Sequence, residues 1–581
     1  MTSARTPLLA SARRSESERS DRLAEAEDDA LQGDSTQRQS RRLFPSGPWV
    51  NRLREVVLFV WALLATAAVI ILAVWVQHNR QTAPFAKPSG KRNLIFMVSD
   101  GMGPASLSLT RSFRQLVENR PYDDALTLDR HFWGTSRTRS TSSLVTDSAA
   151  GATAFSCGRK SYNGAIAVLP DYTPCGTVLE AAKRDGYTTG LVVTTDVTDA
   201  TPACFASHVN LRVQMDEIAL QEVGEGVLGR TVDLIMGGGR CHFLPNTTEG
   251  SCRQDDIDVR DIAQKKHGWS YFHDRAGFDS MWEGKNVSLP TLGLFASTDV
   301  PFEIDRRNIA DVYPSLSEMA ITALHALEIA TKDSDKGFFL MIEGSRIDHA
   351  GHINDPAAQV REVLEYDKAF KAVIDFLEES DTDGVLVATS DHETGGLSTA
   401  YQRPDDNDPV YKWYPSFLAN ANASAEHLSR QLRAHMNDID ATTQTTEDLK
   451  DWINTNLVIP GLGITDARDE ELDRLAGNPD AATIIFAHLI SLRARVGWSS
   501  HGHSAVDVNI YSSGGPGTDK IRGNVENTEI GKFLRDYLDV DVEEITKELN
   551  KKMDLKQLSG LSAEEIESDF AIEGLPADWI E

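Results

Sequence analysis

Residues Asn93 to Gly103 read NLIFMVSDGMG. The run NLIFMV is a continuous apolar segment of the kind that parallel sheets bury on both faces. It ends at Ser99 and Asp100, which Gly101 follows, so a carboxylate stands directly behind a buried strand. The stretch therefore predicts one strand of a parallel sheet, with Asp100 presented at the carboxyl end of that strand.

The same pattern of an apolar run followed by polar side chains recurs along the chain. Predicted strands of this kind are TTGLVVT at 188–194, FFLMI at 338–342 and GVLVAT at 384–389, and a later predicted strand is VDVNIYS at 506–512. Amphipathic helices are predicted between them, near Ser315–Thr331 and Pro356–Glu379. Strands that alternate with helices predict an α/β fold, in which a large, mainly parallel central sheet is flanked by helices.

The polar residues behind these strands are of types that bind metal ions. Ligands of open α/β sheets bind outside the carboxyl ends of the strands, so these side chains are expected to converge. A mixture of carboxylates and imidazoles is typical of zinc, and oxygen-rich subsets suit magnesium. Singly, each residue is more often a helix cap or a solvated side chain. The set as a whole predicts a metal site, and its members are Asp100, Asp199, Thr201, Glu343, Asp348, His349, His352, Asp391, His392, His501 and His503.

A serine lies at the start of a segment rich in small residues, in the stretch VTDSAAGATA at 145–154. A Thr-Asp-Ser run in this position is typical of a helix N-cap, because the side-chain oxygens accept hydrogen bonds from free backbone amides. A serine beside two metal ions can instead lose its proton and attack phosphorus. We therefore interpret Ser148 as both cap and nucleophile, on a helix whose small residues allow close packing beneath the site.

Several longer motifs contain these residues in a fixed order. They are SDGMG at 99–103, VTDSAA at 145–150, DATP at 199–202, HVNLR at 208–212, EGSRIDH at 343–349 with His352, SDHETGG at 390–396 and SHGH at 500–503. Through these motifs the chain resembles the alkaline phosphatase family, and it looks most like the fungal vacuolar, membrane-anchored type. The resemblance implies the hydrolysis of phosphate monoesters, with broad specificity, through a phosphoserine intermediate.

The resemblance also implies roles for individual residues. Ser148 matches the phosphorylated nucleophile, and Arg212 matches a clamp that binds phosphate through two nitrogens. Two zinc ions and one magnesium ion per chain are implied. The first zinc matches Asp348, His352 and His503, the second matches Asp100, Asp391 and His392, and magnesium matches Asp100, Thr201 and Glu343. Asp199 is implied to be either a magnesium ligand or an acceptor for its bound water, and Asp147 and His349 are implied to support these groups.

Two positions leave alternatives open. His501 and His503 both fit the last zinc ligand, and His503 is preferred because it keeps the family's spacing to Asp507. Asp199 together with His349 mixes the Asp and Lys pair of bacterial members with the His and His pair of animal members. This mixture leaves open the identity of the third metal ion and the pH optimum.

Composition and motifs argue against several other functions. The chain has 581 residues and a net charge of −29, which disfavours nucleic acid as a partner, since phosphate backbones need a basic face. Sulfatases share this kind of sheet but need a Cys-x-Pro-x-Arg motif, which CGRK at 157–160 is not. Diesterases commonly use Thr as the nucleophile in place of Ser. A non-enzymatic receptor of the same fold would be expected to lack metal positions, and none is missing here.

The N-terminal residues predict a membrane anchor. Residues 1–55, rich in Ser, Arg, Glu and Asp, are expected to form a disordered cytosolic tail. Residues 56–76 carry no charge and suit one helix across a bilayer, and residues 77–92 are expected to form a linker. The tail is too long for the leader of a cleaved signal peptide, so we interpret the span as a signal anchor with single-pass type II topology.

Further features place the body outside the cytosol. Asn246, Asn286 and Asn422 lie in Asn-x-Ser/Thr sequons and are candidate glycosylation sites. Cys241 and Cys252 could close a short disulfide in an oxidising lumen. The resemblance implies a vacuolar membrane, with another endomembrane or the plasma membrane as the alternatives, and a homodimer.

The body is expected to consist of one catalytic domain with an insertion and a tail. Residues 93–538 are expected to form the catalytic domain. Within it, residues 402–500 break the alternation of strands and helices and are interpreted as an insertion that covers the site or contacts another subunit. Residues 539–581 are expected to be an acidic tail, which is either retained or removed in the mature protein.

Overall fold

A computed structural model describes residues 48–82, 90–404, 406–438 and 445–552 of the chain. The chain divides into two units, with the boundary between residues 84 and 85. Most of the predicted cytosolic tail, the middle of the predicted linker and the last part of the predicted acidic tail lie outside the described residues, at 1–47, 83–89 and 553–581.

The described part of the first unit is one helix, α1 (Pro48–Thr82). Its segment Arg52–Leu72 has a mean hydropathy of 2.5 and none of it is buried, so the helix is long and apolar enough to cross a membrane. The predicted span at 56–76 lies within α1. The helix continues through residues 77–82, where the sequence predicts the linker. No proline interrupts the helix there, because the first proline after the span is Pro84.

The second unit is built on a sheet of ten strands. Its strands are β1 (Asn93–Val98), β2 (Phe132–Arg137), β3 (Thr188–Asp196), β4 (Leu234–Gly238), β5 (Ser270–Phe272), β6 (Thr291–Leu294), β7 (Phe338–Glu343), β8 (Gly384–Thr389), β13 (Val508–Ser512) and β14 (Gly523–Glu526), and two small ladders pair β9 (Glu393–Thr394) with β12 (His503–Ser504) and β10 (Ser398–Thr399) with β11 (Val496–Gly497).

The strand order along the sheet is β14-β2-β13-β8-β1-β7-β3-β4-β6-β5. Strand β13 runs antiparallel to both of its neighbours, and every other neighbouring pair is parallel. The prediction of an α/β fold with a large, mainly parallel sheet is confirmed.

Helices cover both faces of this sheet, because the side chains of each central strand alternate between two apolar cores. On β1, Phe96 packs into one core, and Ile95 and Met97 pack into the other. The helices after α1 are α2 (Pro104–Val117), α3 (Thr127–Arg130), α4 (Ser148–Ser156), α5 (Val178–Arg184), α6 (Ala200–Ala206), α7 (Met215–Leu220), α8 (Val259–His267), α9 (Arg275–Ser280), α10 (Glu303–Arg306), α11 (Leu316–Thr331), α12 (Arg346–His352), α13 (Pro356–Glu379), α14 (Pro415–Asn420), α15 (Ala425–Asp438), α16 (Thr446–Ile453), α17 (Asp469–Gly477), α18 (Ala482–Ala494), α19 (Asn527–Leu538) and α20 (Val542–Lys552).

The order of the central strands determines where the site lies. Strands β8, β1, β7 and β3 are consecutive neighbours in the sheet and all are parallel. Val98 at the end of β1 is level with Glu343 of β7 and with Thr389 of β8. The segments that follow these strands therefore leave the sheet side by side at one edge.

Residues 402–500, which we call the inserted region, form helices α14 to α18 and contribute no strand to the ten-stranded sheet within their described part. The region leaves and rejoins the body where β10 pairs with β11. Arg361 of α13 donates hydrogen bonds to the carbonyls of Leu418 and Ala421, which ties the region to the body. The region has an apolar core of its own, which includes Leu428, Leu432, Ile453, Leu457 and Phe486.

The predicted acidic tail does not begin where the sequence pattern places its start. Helix α20 packs Val542, Ile545 and Leu549 against Ala181 of α5. These three apolar residues lie at helical spacing on one face, while the acidic residues occupy the remainder of the helix. The folded body therefore extends to Lys552, beyond the predicted boundary at residue 538.

The close crossing of α19 over α4 gives a test of the packing. A Cβ atom at Gly531 would stand 2.5 Å from the carbonyl oxygen of Ala154 and 2.6 Å from that of Phe155. Backbone atoms cannot rotate away, so we expect Gly531→Ala to push the two helices apart and lower the free energy of unfolding by about 1–3 kcal/mol. Denaturant unfolding of the full-length protein in detergent measures this.

Gly477 is the matched control for this substitution. It ends α17, and a Cβ atom there would meet nothing within 4 Å. Gly477→Ala should leave the unfolding free energy unchanged or slightly raised. Equal stability of Gly531→Ala and the wild-type protein would contradict the packing argument.

Candidate active site

The ends of β1, β7 and β8 bring three carboxylates together inside the protein. Asp100 lies two residues after β1, Glu343 is the last residue of β7, and Asp391 lies two residues after β8. All three are buried. The parallel order of these strands thus creates a group of acids that is almost closed to solvent.

A second group of side chains lies beside the acids, on α12 and at the start of β12. Asp348 and His352 are one helical turn apart on α12, and His352 Nε2 lies 3.2 Å from Asp348 Oδ2. His503 reaches the same place because β12 pairs with β9. Its Nε2 atom lies 3.1 Å from His352 Nε2 and 3.6 Å from Asp348 Oδ1. The structure therefore brings together Asp348, His352 and His503.

The hydrogen bonds of these two histidines determine which ring nitrogen carries the proton. Nδ1 of His503 donates to the carbonyl of Thr146 at 2.7 Å, and Nδ1 of His352 donates to the carbonyl of His501 at 2.5 Å. In the neutral rings both Nε2 atoms then present lone pairs to each other at 3.1 Å. Two facing lone pairs repel unless a cation lies between them, so this arrangement fits a metal ion.

Asp100, Asp391 and His392 form the other group. His392 Nε2 lies 3.1 Å from Asp391 Oδ2 and 3.6 Å from Asp100 Oδ1, and ligand atoms of all three residues lie within 4.8 Å of one another. Asp100 Oδ1 and Asp391 Oδ2 are buried and accept no hydrogen bond of good geometry. The hydroxyl of Thr201 on α6 is likewise buried without a hydrogen-bond partner. Such buried oxygens fit a site whose remaining bonds go to cations.

The electrostatics of the buried acids support the same conclusion. Burial, followed by repulsion from Asp391 and Asp348, raises the pKa of Asp100 well above its usual value. Burial likewise raises the pKa of Glu343 to about 8. Buried carboxylates that repel one another are stable in the ionised form only when positive charge is brought close to them. The residue set therefore fits bound metal ions.

Ser148 is the first residue of α4, and its hydroxyl faces this cluster. Its Oγ lies 3.1 Å from His392 Nε2. The interpretation of Ser148 as the helix cap is wrong, because Asp147 is the N-cap and accepts the amide hydrogen of Ala150 at 2.9 Å. The Ser148 hydroxyl is thus free of the backbone and available for chemistry.

Arg212 stands across the cavity on the loop before α7 and is held by two aspartates. Its Nη2 donates to Asp199 Oδ1 at 2.7 Å, and its Nη1 lies 3.6 Å from Asp147 Oδ2. Burial lowers the pKa of Arg212, but Asp199 and Asp147 outweigh burial and raise it above its ordinary value. Asp199 therefore orients the guanidinium group, and it is also the N-cap of α6.

A cavity of about 770 Å³ opens above Ser148. Apolar side chains form one part of its wall, namely Val145, Leu211, Val213 and Met215. Polar residues form another part, and they include Asp196, Asp199, Asp299 and His349. The cavity has room for a phosphate group and for a substituent attached to it.

His349 lines the cavity, but it does not form the pair with Asp199 that the resemblance implies. Its Nδ1 lies 3.2 Å from Asp299 Oδ2 instead. Burial lowers the pKa of His349, but Asp299 outweighs burial and raises the pKa to about 9. Sequence reasoning missed Asp299, although this residue lies five positions after β6 and thus repeats the pattern of an acid behind a parallel strand.

The two alternatives for the last zinc ligand lie in different places. The His501 ring turns away from the cluster, where its Nδ1 donates to the carbonyl of His352 at 2.8 Å. It lines a separate small cavity with His488 and Trp498. The His503 ring stacks on His392, with 3.5 Å between the ring centroids. The geometry favours His503 as the ligand.

The cysteines and sequons lie outside the cluster. Cys241 and Cys252 are joined by a disulfide, and a second disulfide, which the sequence analysis did not anticipate, joins Cys157 to Cys175. Cys204 is buried with a free thiol. The three sequon residues Asn246, Asn286 and Asn422 are exposed.

Comparison with known proteins identifies the family. The family model described as alkaline phosphatase matches residues 91–540. The chain belongs to the alkaline phosphatase family. The repressible alkaline phosphatase of Saccharomyces cerevisiae is 52% identical over 499 residues, which cover 82% of this chain and 86% of that protein. The resemblance to a fungal alkaline phosphatase is confirmed, and the chain is a phosphomonoesterase.

Solved structures of alkaline phosphatases share the fold. The cold-active alkaline phosphatase of the psychrophile Shewanella sp. has a TM-score of 0.62 and 31% identity, and the match covers 77% of this chain and 99% of that chain. A mutant of the alkaline phosphatase from the Antarctic bacterium TAB5 has a TM-score of 0.51 and 25% identity over 77% of this chain and 98% of that chain, and that protein has magnesium bound in a site named M3.

The buried pair of His208 and Glu180 lies behind the loop that carries Arg212 and gives a test of charge. His208 Nδ1 contacts the carbonyl of Ala167 at 3.1 Å and Nε2 contacts Glu180 Oε1 at 2.8 Å, so both nitrogens act as donors. Burial lowers the pKa of His208, but Glu180 and Ala167 outweigh it and the pKa is raised. A raised pKa contributes stability that is lost as the pH rises through the folded value.

We therefore expect His208→Gln to be less stable than the wild-type protein by about 1.5–3 kcal/mol below about pH 6.5, the ordinary histidine pKa, with a difference that shrinks over the pH range above it. Denaturant unfolding across this range, in one metal buffer, measures the difference. His273→Gln, at an exposed histidine, is the control and should show little difference at any pH. A difference that stays constant or grows with pH would contradict a charged His208.

Proposed function

We propose that the chain hydrolyses phosphate monoesters to an alcohol and inorganic phosphate through a phosphoserine intermediate on Ser148. The observation that carries this proposal is the Ser148 hydroxyl, 3.1 Å from His392 Nε2 at the edge of the buried carboxylates and imidazoles. Arg212 faces the same cavity and offers a guanidinium group for the phosphate oxygens.

The residues that would hold metal ions fall into three sets. Asp348, His352 and His503 would hold one zinc ion, Asp100, Asp391 and His392 a second, and Asp100, Thr201 and Glu343 a magnesium ion. Bound ions of this kind act as Lewis acids, lower the pKa of a hydroxyl or water, and neutralise charge on phosphoryl oxygens. The magnesium bound by the TAB5 alkaline phosphatase mutant supports a magnesium ion in the third set.

The residues of the chain carry out two displacements. In the first, Ser148 Oγ releases its proton to water and attacks phosphorus, the bond from phosphorus to the ester oxygen breaks, and that oxygen takes a proton from water as the alcohol leaves. In the second, water attacks the phosphoserine, its oxygen stays on the phosphate, and Ser148 recovers its hydroxyl. Arg212 holds two phosphoryl oxygens throughout, while Asp147 and Asp199 keep the guanidinium group in place.

The cavity supports broad specificity toward the leaving group. Charged and polar groups converge on the position of the phosphate at Ser148, whereas Val145, Leu211, Val213 and Met215 offer only apolar contact to the substituent. Apolar contact discriminates weakly between substituents of similar size. The phosphate therefore dominates recognition, and many monoesters are expected to be substrates.

We also propose the location of the enzyme. Helix α1 would anchor the chain as a single-pass type II protein of the vacuolar membrane, with the catalytic body in the lumen. The two disulfides suit an oxidising compartment, and the exposed sequons are available for glycosylation. A homodimer is proposed from the family resemblance.

The nucleophile is tested with Ser148→Ala. We expect hydrolysis of an aryl phosphate by the metal-loaded protein to fall by at least about a thousandfold, because the covalent route is lost. Ser143→Ala is the control, since Ser143 lines the same cavity without contacting His392. A chelator should abolish the wild-type activity and added zinc with magnesium should restore it. Activity retained in Ser148→Ala, or unaffected by the chelator, would reject the mechanism.

The orientation in the membrane is tested by protease protection. Intact vacuoles that contain the full-length protein are treated with protease, and antibodies to each end detect the fragments. We expect loss of the N-terminal epitope and survival of the body, because only the short cytosolic segment is accessible. Digestion of the body with survival of the N-terminal epitope would reverse the assigned topology.

A further inference from the structure

The helix that carries three site residues begins with a buried arginine. Arg346 is the first residue of α12, the helix that also carries Asp348, His349 and His352, and its side chain is only 5% exposed. The guanidinium group donates to the carbonyl of Val300 at 3.1 Å and stacks over the ring of Phe302 at 3.8 Å. A buried guanidinium group needs a carboxylate close by.

Two carboxylates of the described residues lie within 4 Å of the Arg346 guanidinium group, and they differ in distance. Glu426 Oε2 accepts a hydrogen bond from Arg346 Nη2 at 2.6 Å. Asp299 Oδ2 lies 3.7 Å from Arg346 Nε, beyond hydrogen-bond distance. Arg346 is thus bonded directly to Glu426, which leaves Asp299 available to another donor.

That other donor is His349. Its Nδ1 atom lies 3.2 Å from Asp299 Oδ2 and 3.3 Å from Arg346 Nε. Nδ1 donates to the carboxylate when it carries a proton and accepts from the guanidinium group when it does not, so it cannot make both hydrogen bonds at once. The position of Arg346 therefore influences the hydrogen bond that orients the His349 ring at the cavity wall.

Glu426 belongs to the inserted region, and its place is well fixed. It is the second residue of α15. The amide of the preceding residue, Ala425, donates to Asp355 Oδ2 at 2.8 Å, and the amide of Ser424 donates to Asp305 Oδ1 at 2.9 Å. Both acceptors are buried residues of the catalytic body, so the start of α15 is anchored beside α12.

We propose that Glu426 is a positioning residue, through which the inserted region sets the affinity of the site for phosphate. Glu426 holds Arg346, Asp299 is thereby left to bind His349, and the His349 ring keeps its place at the wall of the cavity that receives phosphate. The inference rests on the proposed function, because it concerns the same phosphate site.

Loss of the Glu426 charge has a specific consequence. Arg346 would then lie closest to Asp299 among these carboxylates, and a cavity of about 480 Å³ bordered by Asp299, Arg346, Glu426 and Arg430 gives the side chains room to move. Once Arg346 binds Asp299, the carboxylate is drawn away from His349 Nδ1 and the His349 ring becomes free to rotate. Phosphate, which is the product, then binds less tightly, whereas the nucleophile and the metal-binding residues keep their contacts.

The test is a double-mutant cycle on the metal-loaded, full-length protein with Glu426→Gln, His349→Ala and the double variant. We expect Glu426→Gln to raise the inhibition constant of inorganic phosphate about 3- to 10-fold, with kcat changed less than about twofold. In the His349→Ala background the same substitution should have no further effect. An equal rise in both backgrounds, or no rise in either, overturns the proposal.

Two controls separate this role from a general structural one. Glu447→Gln changes an exposed glutamate of the inserted region, 79% exposed, and should leave the phosphate constant unchanged. Glu426→Asp keeps the charge and should retain more phosphate affinity than Glu426→Gln. If Glu426→Gln fails to fold, the phosphate affinity of Glu426→Asp still tests the role of this side chain. Equal affinity in the Asp and Gln variants would overturn the role of the charge.

Calorimetric titration of inorganic phosphate into metal-loaded Ser148→Ala, with and without Glu426→Gln, distinguishes this inference from the proposed function. Weaker phosphate binding upon Glu426→Gln supports the positioning role without any turnover. If the wild-type protein binds phosphate but hydrolyses no monoester, the proposed function fails while the positioning role is judged on binding alone. Unchanged phosphate binding in Glu426→Gln overturns the positioning role even when the wild-type enzyme is active.

Discussion

The rest of the site depends on the burial of like charges at the ends of neighbouring parallel strands. Asp100, Glu343 and Asp391 follow β1, β7 and β8, which lie side by side, so the topology forces their carboxylates together in a region nearly closed to water. Their mutual repulsion cannot be relieved by solvent and leaves the site in need of positive charge. His352 and His503 add to the same need, because backbone carbonyls fix their protons on Nδ1 and direct the Nε2 lone pairs inward.

The placement of Ser148 follows from how closely α4 approaches this cluster. A Cβ atom at Gly151 would stand 2.9 Å from the Cβ of Asp391, so only a glycine allows the helix to lie directly against that carboxylate. The capping of α4 by Asp147 then releases the Ser148 hydroxyl toward His392. Asp147 also lies near Arg212, so one residue helps to position both the start of the helix and the guanidinium group at the cavity.

The fold and most of the site residues could be predicted from the sequence because their signals are local. An apolar run followed by an acid marks β1 and β8 without reference to the rest of the chain. Pairings between distant residues have no local pattern: Arg346 and Glu426 are 80 positions apart, and nothing in the sequence connects them. The sequence does not show whether Asp147 or Ser148 caps α4, because both are good capping residues and only the backbone geometry distinguishes them. The sequence of α20 looks like an acidic tail because its acidic residues obscure the apolar stripe that packs on α5.

The inserted region contacts the catalytic body near both ends of α12. At the start of α12, Glu426 holds Arg346, and just beyond its end Ser491 of α18 donates to the carbonyl of Asn354 at 3.0 Å. Helix α18 then leads through β11 into the loop that carries His501 and His503. Because the Arg346 side chain is almost fully buried, its bond to Glu426 acts in a medium of low dielectric and is screened far less than a surface ion pair. A charge in a helix of the inserted region can therefore influence α12 without contacting Asp348 or His352.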